Sequence, residues 1–207
     1  YIRALEARRL PHVLSGGRSF HSREEVVAIR GALTAIEWPD DALHVYATLR
    51  GPFVAINDET LFTFKSKLGH LHPFGPVRDL VRLDPEELEV LEALQLLARL
   101  HRGRNRRPIA DTLSEFLSAL RAHAGVAIWP TGEQALGNVL RVLDFARAYE
   151  RKPDASSFRG FVEWLEEQAE SQANPEGGVI EQSSEGIRLM TVHGAPETPE
   201  ESEAPEP

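Results

Sequence analysis

The chain has 207 residues, is 42% hydrophobic and contains no cysteine. This length and composition suffice for a globular protein with a buried core, while the absence of cysteine excludes disulfide bonds, thiolate metal sites and a cysteine nucleophile. The formal net charge of −9 argues against a protein that binds nucleic acid over its whole surface. A cytoplasmic location is the default expectation, and no run of residues is long and apolar enough to predict a membrane span.

The charge is unevenly distributed along the chain. Residues 195–207 contain five glutamates and no Lys or Arg, so residues 1–194 carry a net charge of only −4. Because residues 196–207 have no large apolar side chain to offset the entropy of ordering, we expect a disordered acidic tail there. Basic residues gather instead in one short stretch, which could meet phosphate or could be a solvated helix end. The arginines of this stretch are Arg99, Arg102, Arg104, Arg106 and Arg107.

The first fifty residues predict a short extended piece and two helices. Residues 1–19 have the pattern of a helix end, an extended piece at residues 11–14 and a glycine turn. Because this first helix opens without a cap or lead-in, we expect that upstream sequence was removed. Ser22 is the predicted N-cap of the next helix, with Glu25 three residues later. A further helix is predicted to start at Pro39 and to end at Gly51.

The middle of the chain predicts a bundle of helices. Residues 53–77 are rich in Phe, His, Gly and Pro, and we expect a loop there with at most one helical turn, near residues 58–61. Leucines three or four residues apart then predict longer helices. The predicted ranges are residues 84–100, 109–124, 132–149 and about 156–173. With a short buried strand predicted within residues 186–192, the expected fold class is mainly α: a helical bundle with a small β element from the terminal segments.

Searching for enzyme chemistry in the sequence yields little. No Gly-rich loop followed by Lys and Ser or Thr is present to hold nucleotide phosphates, and no Gly-x-Ser-x-Gly nucleophile motif occurs. His70 and His72 could share a face with Asp79 nearby, but loop histidines outside a known ligand pattern are more often solvated than bound to metal. We therefore expect no catalytic residue and no metal site.

Two polar residues follow the predicted C-terminal strand. Thr191 and His193 stand at its carboxyl end, which is where open α/β sheets meet their ligands, so both could contact phosphate or sugar oxygens. The alternative is a Thr that caps the next element and a His that fills a turn.

Two sequence blocks resemble a known family. Gly186-Ile-Arg-Leu-Met-Thr-Val-His-Gly-Ala195 resembles motif V of superfamily 1 DNA helicases of the UvrD, RecB and AddA type, where such a strand runs into Thr-x-His and then Lys-Gly-Leu-Glu-Phe. Leu10-Pro-His-Val-Leu-Ser-Gly-Gly-Arg-Ser-Phe20, followed by Arg23-Glu-Glu-Val26, is similar to a segment of the same motor domain, with His12 where an aromatic residue is common.

The resemblance implies a domain layout. Residues 1–52 and 186–195 would belong to the second motor domain, called 2A, and residues 53–185 would form its helical insert, called 2B. Residues 196–207 would be the acidic tail.

The resemblance also implies roles for single residues. Thr191 and His193 would contact single-stranded DNA. Arg23 and Glu25 would lie between the DNA groove and the nucleotide cleft, where Arg23 would contact DNA and Glu25 would couple strand movement to ATP state. Within the basic stretch, Arg102 and Arg104 are further candidates for DNA contact.

The implied parent protein is an ATP-dependent 3′ to 5′ DNA helicase or helicase-nuclease in recombination and repair. ATP and Mg²⁺ would be cofactors of that parent and not of this fragment, and the partners would be single-stranded or duplex DNA and a nuclease or helicase subunit. The sequence leaves the family pattern after Ala195, where Pro196-Glu-Thr-Pro199 replaces Lys-Gly-Leu-Glu. Either the region was excised or the natural chain is truncated.

The competing hypothesis is a free-standing helical module that binds other proteins. The two hypotheses differ in one structural expectation: only a motor-domain origin requires Leu14 and residues 187–192 to lie on adjacent strands.

Overall fold

A computed structural model describes residues 20–76, 82–152 and 157–171, together with the backbone of residues 12–15 and 187–190. These residues form two short strands and eight α-helices, so the expected mainly α fold is confirmed. The strands are β1 (His12–Ser15) and β2 (Ile187–Met190). The helices are α1 (Glu24–Glu37), α2 (Ala42–Arg50), α3 (Asp58–Leu68), α4 (Pro85–Gly103), α5 (Ile109–Ala119), α6 (Ala122–Ala127), α7 (Gly132–Glu150) and α8 (Phe158–Glu170).

Helix α1 lies at the centre of the bundle and packs against α2, α4, α7 and α8. Its inward side chains, among them Ile29, Leu33 and Ile36, are almost completely buried. Each such side chain stabilises the fold by about 1.5–3 kcal/mol through loss of apolar surface to water. A short 3-10 turn at Phe20–Ser22 precedes α1 and places the fully buried Phe20 against Phe145 of α7.

Helix α2 starts later than the sequence predicts. Pro39 lies in a turn before the helix, and Asp41 is the N-cap. The Asp41 carboxylate accepts hydrogen bonds from the backbone N–H groups of Leu43 and His44, both at 3.1 Å. The His44 N–H is the main reason why the pKa of Asp41 lies below its ordinary value. This cap satisfies two backbone N–H groups at the start of the helix that would otherwise be unpaired. A proline in the first turn has no side-chain acceptor and cannot do this.

The expectation of a loop with a single helical turn near residues 58–61 is wrong, because α3 runs for 11 residues. The Asn57 side chain caps it by accepting from Thr60 N at 2.8 Å, and Gly69 ends it at a φ of 83°, which glycine adopts without strain. The helix buries only one narrow stripe of Leu61, Phe64 and Leu68. That stripe was obscured in the sequence by the Gly, His and Pro residues that follow.

The predicted helix at residues 109–124 is two helices, α5 and α6. The chain turns between them at Arg121, whose φ of 50° is left-handed. The helices predicted at residues 84–100, 132–149 and 156–173 are confirmed as α4, α7 and α8, with bounds that differ by a few residues.

Strands β1 and β2 pair in parallel, with Leu14 opposite Leu189 and His12 opposite Ile187, 175 residues further along the chain. The adjacency that distinguishes the two hypotheses is therefore confirmed for the described part of the C-terminal strand. The predicted N-terminal helix end, the glycine turn and the acidic tail lie outside the described residues. The domain boundaries stay a prediction; α1 and α2 share one core with the later helices.

Candidate nucleic-acid interface

The strand pair carries the first group of candidate residues by sequence position. Because β1 and β2 are parallel, their carboxyl ends meet at one edge, next to Ser15 and Met190. Thr191 follows β2 directly and His193 comes two residues later, but both lie outside the described residues. Their contact with DNA stays a prediction.

Arg23 and Glu25 lie at the start of α1. Arg23 occupies the N-cap position and is half-buried. Glu25 is buried and accepts a hydrogen bond from Asn138 Nδ2 of α7 at 2.6 Å, and Asn138 is itself completely buried. The carboxylate therefore ties α1 to α7. The proposed coupling role of Glu25 and the DNA contact of Arg23 stay predictions.

The arginine stretch spans the end of α4 and the turn that leads to α5, and one carboxylate pairs with two of its members. Glu115 of α5 accepts from Arg99 Nε at 3.1 Å and pairs with the Arg107 guanidinium. The hydrogen bond from Arg107 is the main reason why the pKa of Glu115 is lowered. Since Arg99 remains more than half exposed, its other donors are free to face a phosphate.

A second carboxylate, Glu37 at the end of α1, is buried between two arginines. Arg104 Nε lies 2.6 Å from Glu37 Oε2, and Arg159 Nε of α8 lies 3.0 Å from Oε1. The Arg104 side chain is only 17% exposed, whereas that of Arg159 is 57% exposed. Arg104 thus has a role inside the bundle, and its predicted DNA contact remains untested. Arg159 is the more accessible cation.

Arg102 is exposed and lies over an aromatic ring. Its guanidinium carbon is 4.9 Å from the centre of the Phe74 ring, and that ring meets His101 edge to face at 5.3 Å. His101 is held in turn by Ile36, whose carbonyl oxygen is 2.7 Å from Nδ1. Phe74 is 38% exposed, so an aromatic edge and a cation face solvent side by side.

We call this surface the basic end of the bundle. Four of its six guanidinium groups pair with two carboxylates, Glu37 and Glu115, so positive charge remains in excess. Exposed arginines beside an aromatic ring suit contact with phosphates and with the face or edge of a base. The basic end consists of Arg99, Arg102, Arg104, Arg106, Arg107 and Arg159, with Phe74 at its edge.

The sequence indicates five of these arginines because they lie close together in the chain. It missed Arg159, which reaches the basic end from a distant helix, and Phe74, which stands in a loop whose path the sequence does not determine. No local signal marked either residue.

Metal binding gains no support from the described part of the chain, where no group of three or more His, Asp or Glu side chains is arranged to hold an ion. His72 Nε2 lies 2.9 Å from Asp40 Oδ1, and His70 Nε2 lies 3.2 Å from the carbonyl oxygen of Pro76. The two histidines therefore have separate partners. Among the described helices, none has the length and apolar character of a membrane span.

Comparison with known proteins finds a distant similarity to ATP-dependent helicase/nuclease subunits. No family model matches the chain. It is 25% identical over 201 residues to an ATP-dependent helicase/nuclease subunit of Bacillus cereus (strain G9842), and to the proteins of the same name from Bacillus mycoides (strain KBAB4) and Bacillus thuringiensis (strain Al Hakam). Each alignment covers 91% of this chain and 16% of the relative, so the chain spans about a sixth of the length of these curated relatives.

Proposed function

We propose that this chain is the part of an ATP-dependent 3′ to 5′ DNA helicase or helicase-nuclease that contacts DNA and docks partners, in recombination or repair. ATP and Mg²⁺ would be bound by other parts of that parent. The similarity to helicase/nuclease subunits along 91% of the chain supports this proposal.

The observation that carries the proposal is the parallel pairing of β1 with β2. A self-sufficient helical bundle has no need to bring together segments 175 residues apart, whereas an insert that interrupts a parallel-sheet motor domain must return the chain beside the strand it left. Residues 53–185 of the bundle would then be the insert, and Thr191 and His193 would lie at the DNA-facing edge of the sheet.

DNA contact by the basic end should be weak and governed by salt. Two of its arginines, Arg102 and Arg106, are exposed and lie outside the pairs with Glu37 and Glu115. The overall charge of −9 opposes long-range attraction of DNA. We expect a dissociation constant of about 10 μM or weaker at 100 mM salt, in the range of non-specific complexes.

The test is fluorescence anisotropy with labelled single-stranded and duplex oligonucleotides between about 50 and 200 mM salt. Reversing both exposed charges, Arg102→Glu with Arg106→Glu, should weaken binding about tenfold at the lower salt and reduce the log–log salt slope by about two, since each phosphate contact contributes about one.

The control is Arg50→Glu with Arg147→Glu, which also reverses two exposed arginines, on α2 and α7, that are not among the residues of the basic end. This control should retain most of the binding. A tight complex that is insensitive to salt, or an equal loss in both double variants, would contradict the proposal.

A further inference from the structure

A large apolar groove lies on a face of α1 that the other described helices leave uncovered. It has a volume of about 900 Å³. Helix α1 forms its floor through Val27, Ala28 and Gly31, while α2 and α8 pack on either side of α1 and form the walls. Val27 and Leu43 are 50% and 71% exposed, which is high for large apolar side chains beside a well-formed core.

The shape of the groove suits a helix. Its lining follows α1 from Glu24 to Trp38, which at 1.5 Å per residue is a length of about 20 Å, or nearly four helical turns. Gly31 lies at the middle of the floor. A Cβ atom built there would meet only His44 Cδ2, at 4.0 Å, so the missing side chain leaves open space where an approaching helix could pack closely.

The charges around the groove are acidic. Glu163 and Glu167 line the α8 wall and Glu24 lines the end of the floor, and all three are exposed. The basic groups of the lining are already engaged, because Arg30 pairs with Glu166 and His44 lies 2.7 Å from Asp41 Oδ2. The groove thus has an apolar floor flanked by exposed carboxylates that the basic groups of the lining do not neutralise.

We infer that this groove binds an amphipathic helix of a partner protein, with an apolar face on Val27, Gly31 and Leu43 and with Lys or Arg residues beside Glu163 and Glu167. Helix-in-groove binding uses apolar anchors spaced three and four residues apart, and opposite charge at the rim sets orientation and selectivity. The inference deepens the partner-docking part of the proposed function, but it does not depend on DNA binding.

The test uses the full chain and two labelled synthetic helices of about 18 residues, long enough to be partly helical alone. Both carry Leu and Ala on one face; one has Lys at the flanking positions and the other has Glu. In fluorescence anisotropy the Lys peptide should bind at least about tenfold more tightly than the Glu peptide, and raising the salt should reduce the difference.

Two variants of one residue locate the binding. Gly31→Leu fills the floor and should weaken the Lys peptide by about tenfold or more, whereas Gly31→Ala adds one methyl group with room to spare and should change binding less than about threefold. Circular dichroism and thermal melting should show both variants folded, because alanine and leucine favour the helical interior over glycine.

Charge reversal gives an independent readout. Glu163→Lys with Glu167→Lys should transfer the preference to the Glu peptide, while Glu170→Lys, an exposed site on the same helix outside the groove lining, should not. Equal binding of the two peptides, or unchanged binding by Gly31→Leu, would overturn the inference. So would sedimentation showing a dimer that only Gly31→Leu dissociates, since a second copy would then be the occupant. DNA binding should be unchanged in Gly31→Leu, which separates this inference from the DNA proposal.

Discussion

His21 shows how burial, aided by neighbouring charges, changes the chemistry of one side chain. It is 2% exposed, its ring packs edge-on against Phe20, and neither ring nitrogen has a hydrogen-bond partner among the described residues. Burial lowers the pKa of His21 below its ordinary value of 6.5, and the positive charges of Arg30 and Arg141 lower it further against the opposite effect of Glu166. The folded protein therefore holds this imidazole neutral.

A stability loss on acidification follows from that shift. Below pH 6.5 the unfolded chain binds a proton at His21, whereas the folded chain does not bind it until the pH is lower. The free energy of unfolding should therefore have its full value above pH 6.5 and should fall as the pH drops toward the folded pKa of His21. Denaturant titrations from pH 7.5 to 5 should show this slope in the wild type. His21→Asn should flatten it, and an unchanged slope in that variant would contradict the prediction.

The partners of single residues are what the sequence could not predict. Glu25 looked like a capping acid, yet it is buried against Asn138, 113 residues away. Glu37 is the last residue of α1, and no pattern in the sequence indicates that it joins Arg104 and Arg159. Periodicity tells which face of a helix is apolar, but it does not tell which polar residue at the edge of that face meets a partner from another helix.

At the scale of elements, local signals decided which boundaries could be predicted. The start of α4 was predictable because Asp84, Pro85 and Glu87 act within one turn, and Glu87 indeed accepts from the Asp84 N–H at 2.8 Å. The break after α5 was not, since it depends on the backbone conformation of Arg121, a residue type with no turn preference.

That break makes a prediction about glycine. Arg121 has a left-handed backbone conformation, which costs an ordinary residue about 1–2 kcal/mol and costs glycine nothing. Glycine also makes the unfolded chain more flexible, which offsets part of this gain. Arg121→Gly should therefore raise the free energy of unfolding by about 0.5 kcal/mol. Arg147→Gly, at an exposed position inside α7, should lower it by about 1 kcal/mol. Urea midpoints that move in the same direction for both variants would contradict this.

For the whole molecule, the sequence predicted the pairing of β1 with β2 better than the packing of the helices between them. The strands were predictable because a resemblance covered both of them, while the basic end and the apolar groove arise only when helices from distant parts of the chain pack on α1. The described core consists of residues from Phe20 onward to Leu165, all of them in the bundle and its connections. Two strands of four residues, paired with each other within the described part of the chain, are marginally stable by themselves.

The strand pair should therefore be separable from the bundle. Arg188→Pro with Leu189→Pro removes two adjacent backbone N–H groups from β2. Because successive N–H groups of a strand point to opposite sides, one of the two faces β1. Loss of the pairing should remove the protection of the β1 amides from hydrogen exchange. The unfolding free energy of the bundle should change by less than about 1 kcal/mol, because the described backbone of β1 and β2 packs mainly strand against strand and not on the described helices. Leu140→Pro, inside α7, is the matched control and should cost about 3 kcal/mol or more. If the double variant destabilises the bundle as much as Leu140→Pro does, the strands are part of its cooperative core, and the prediction that they are separable is wrong.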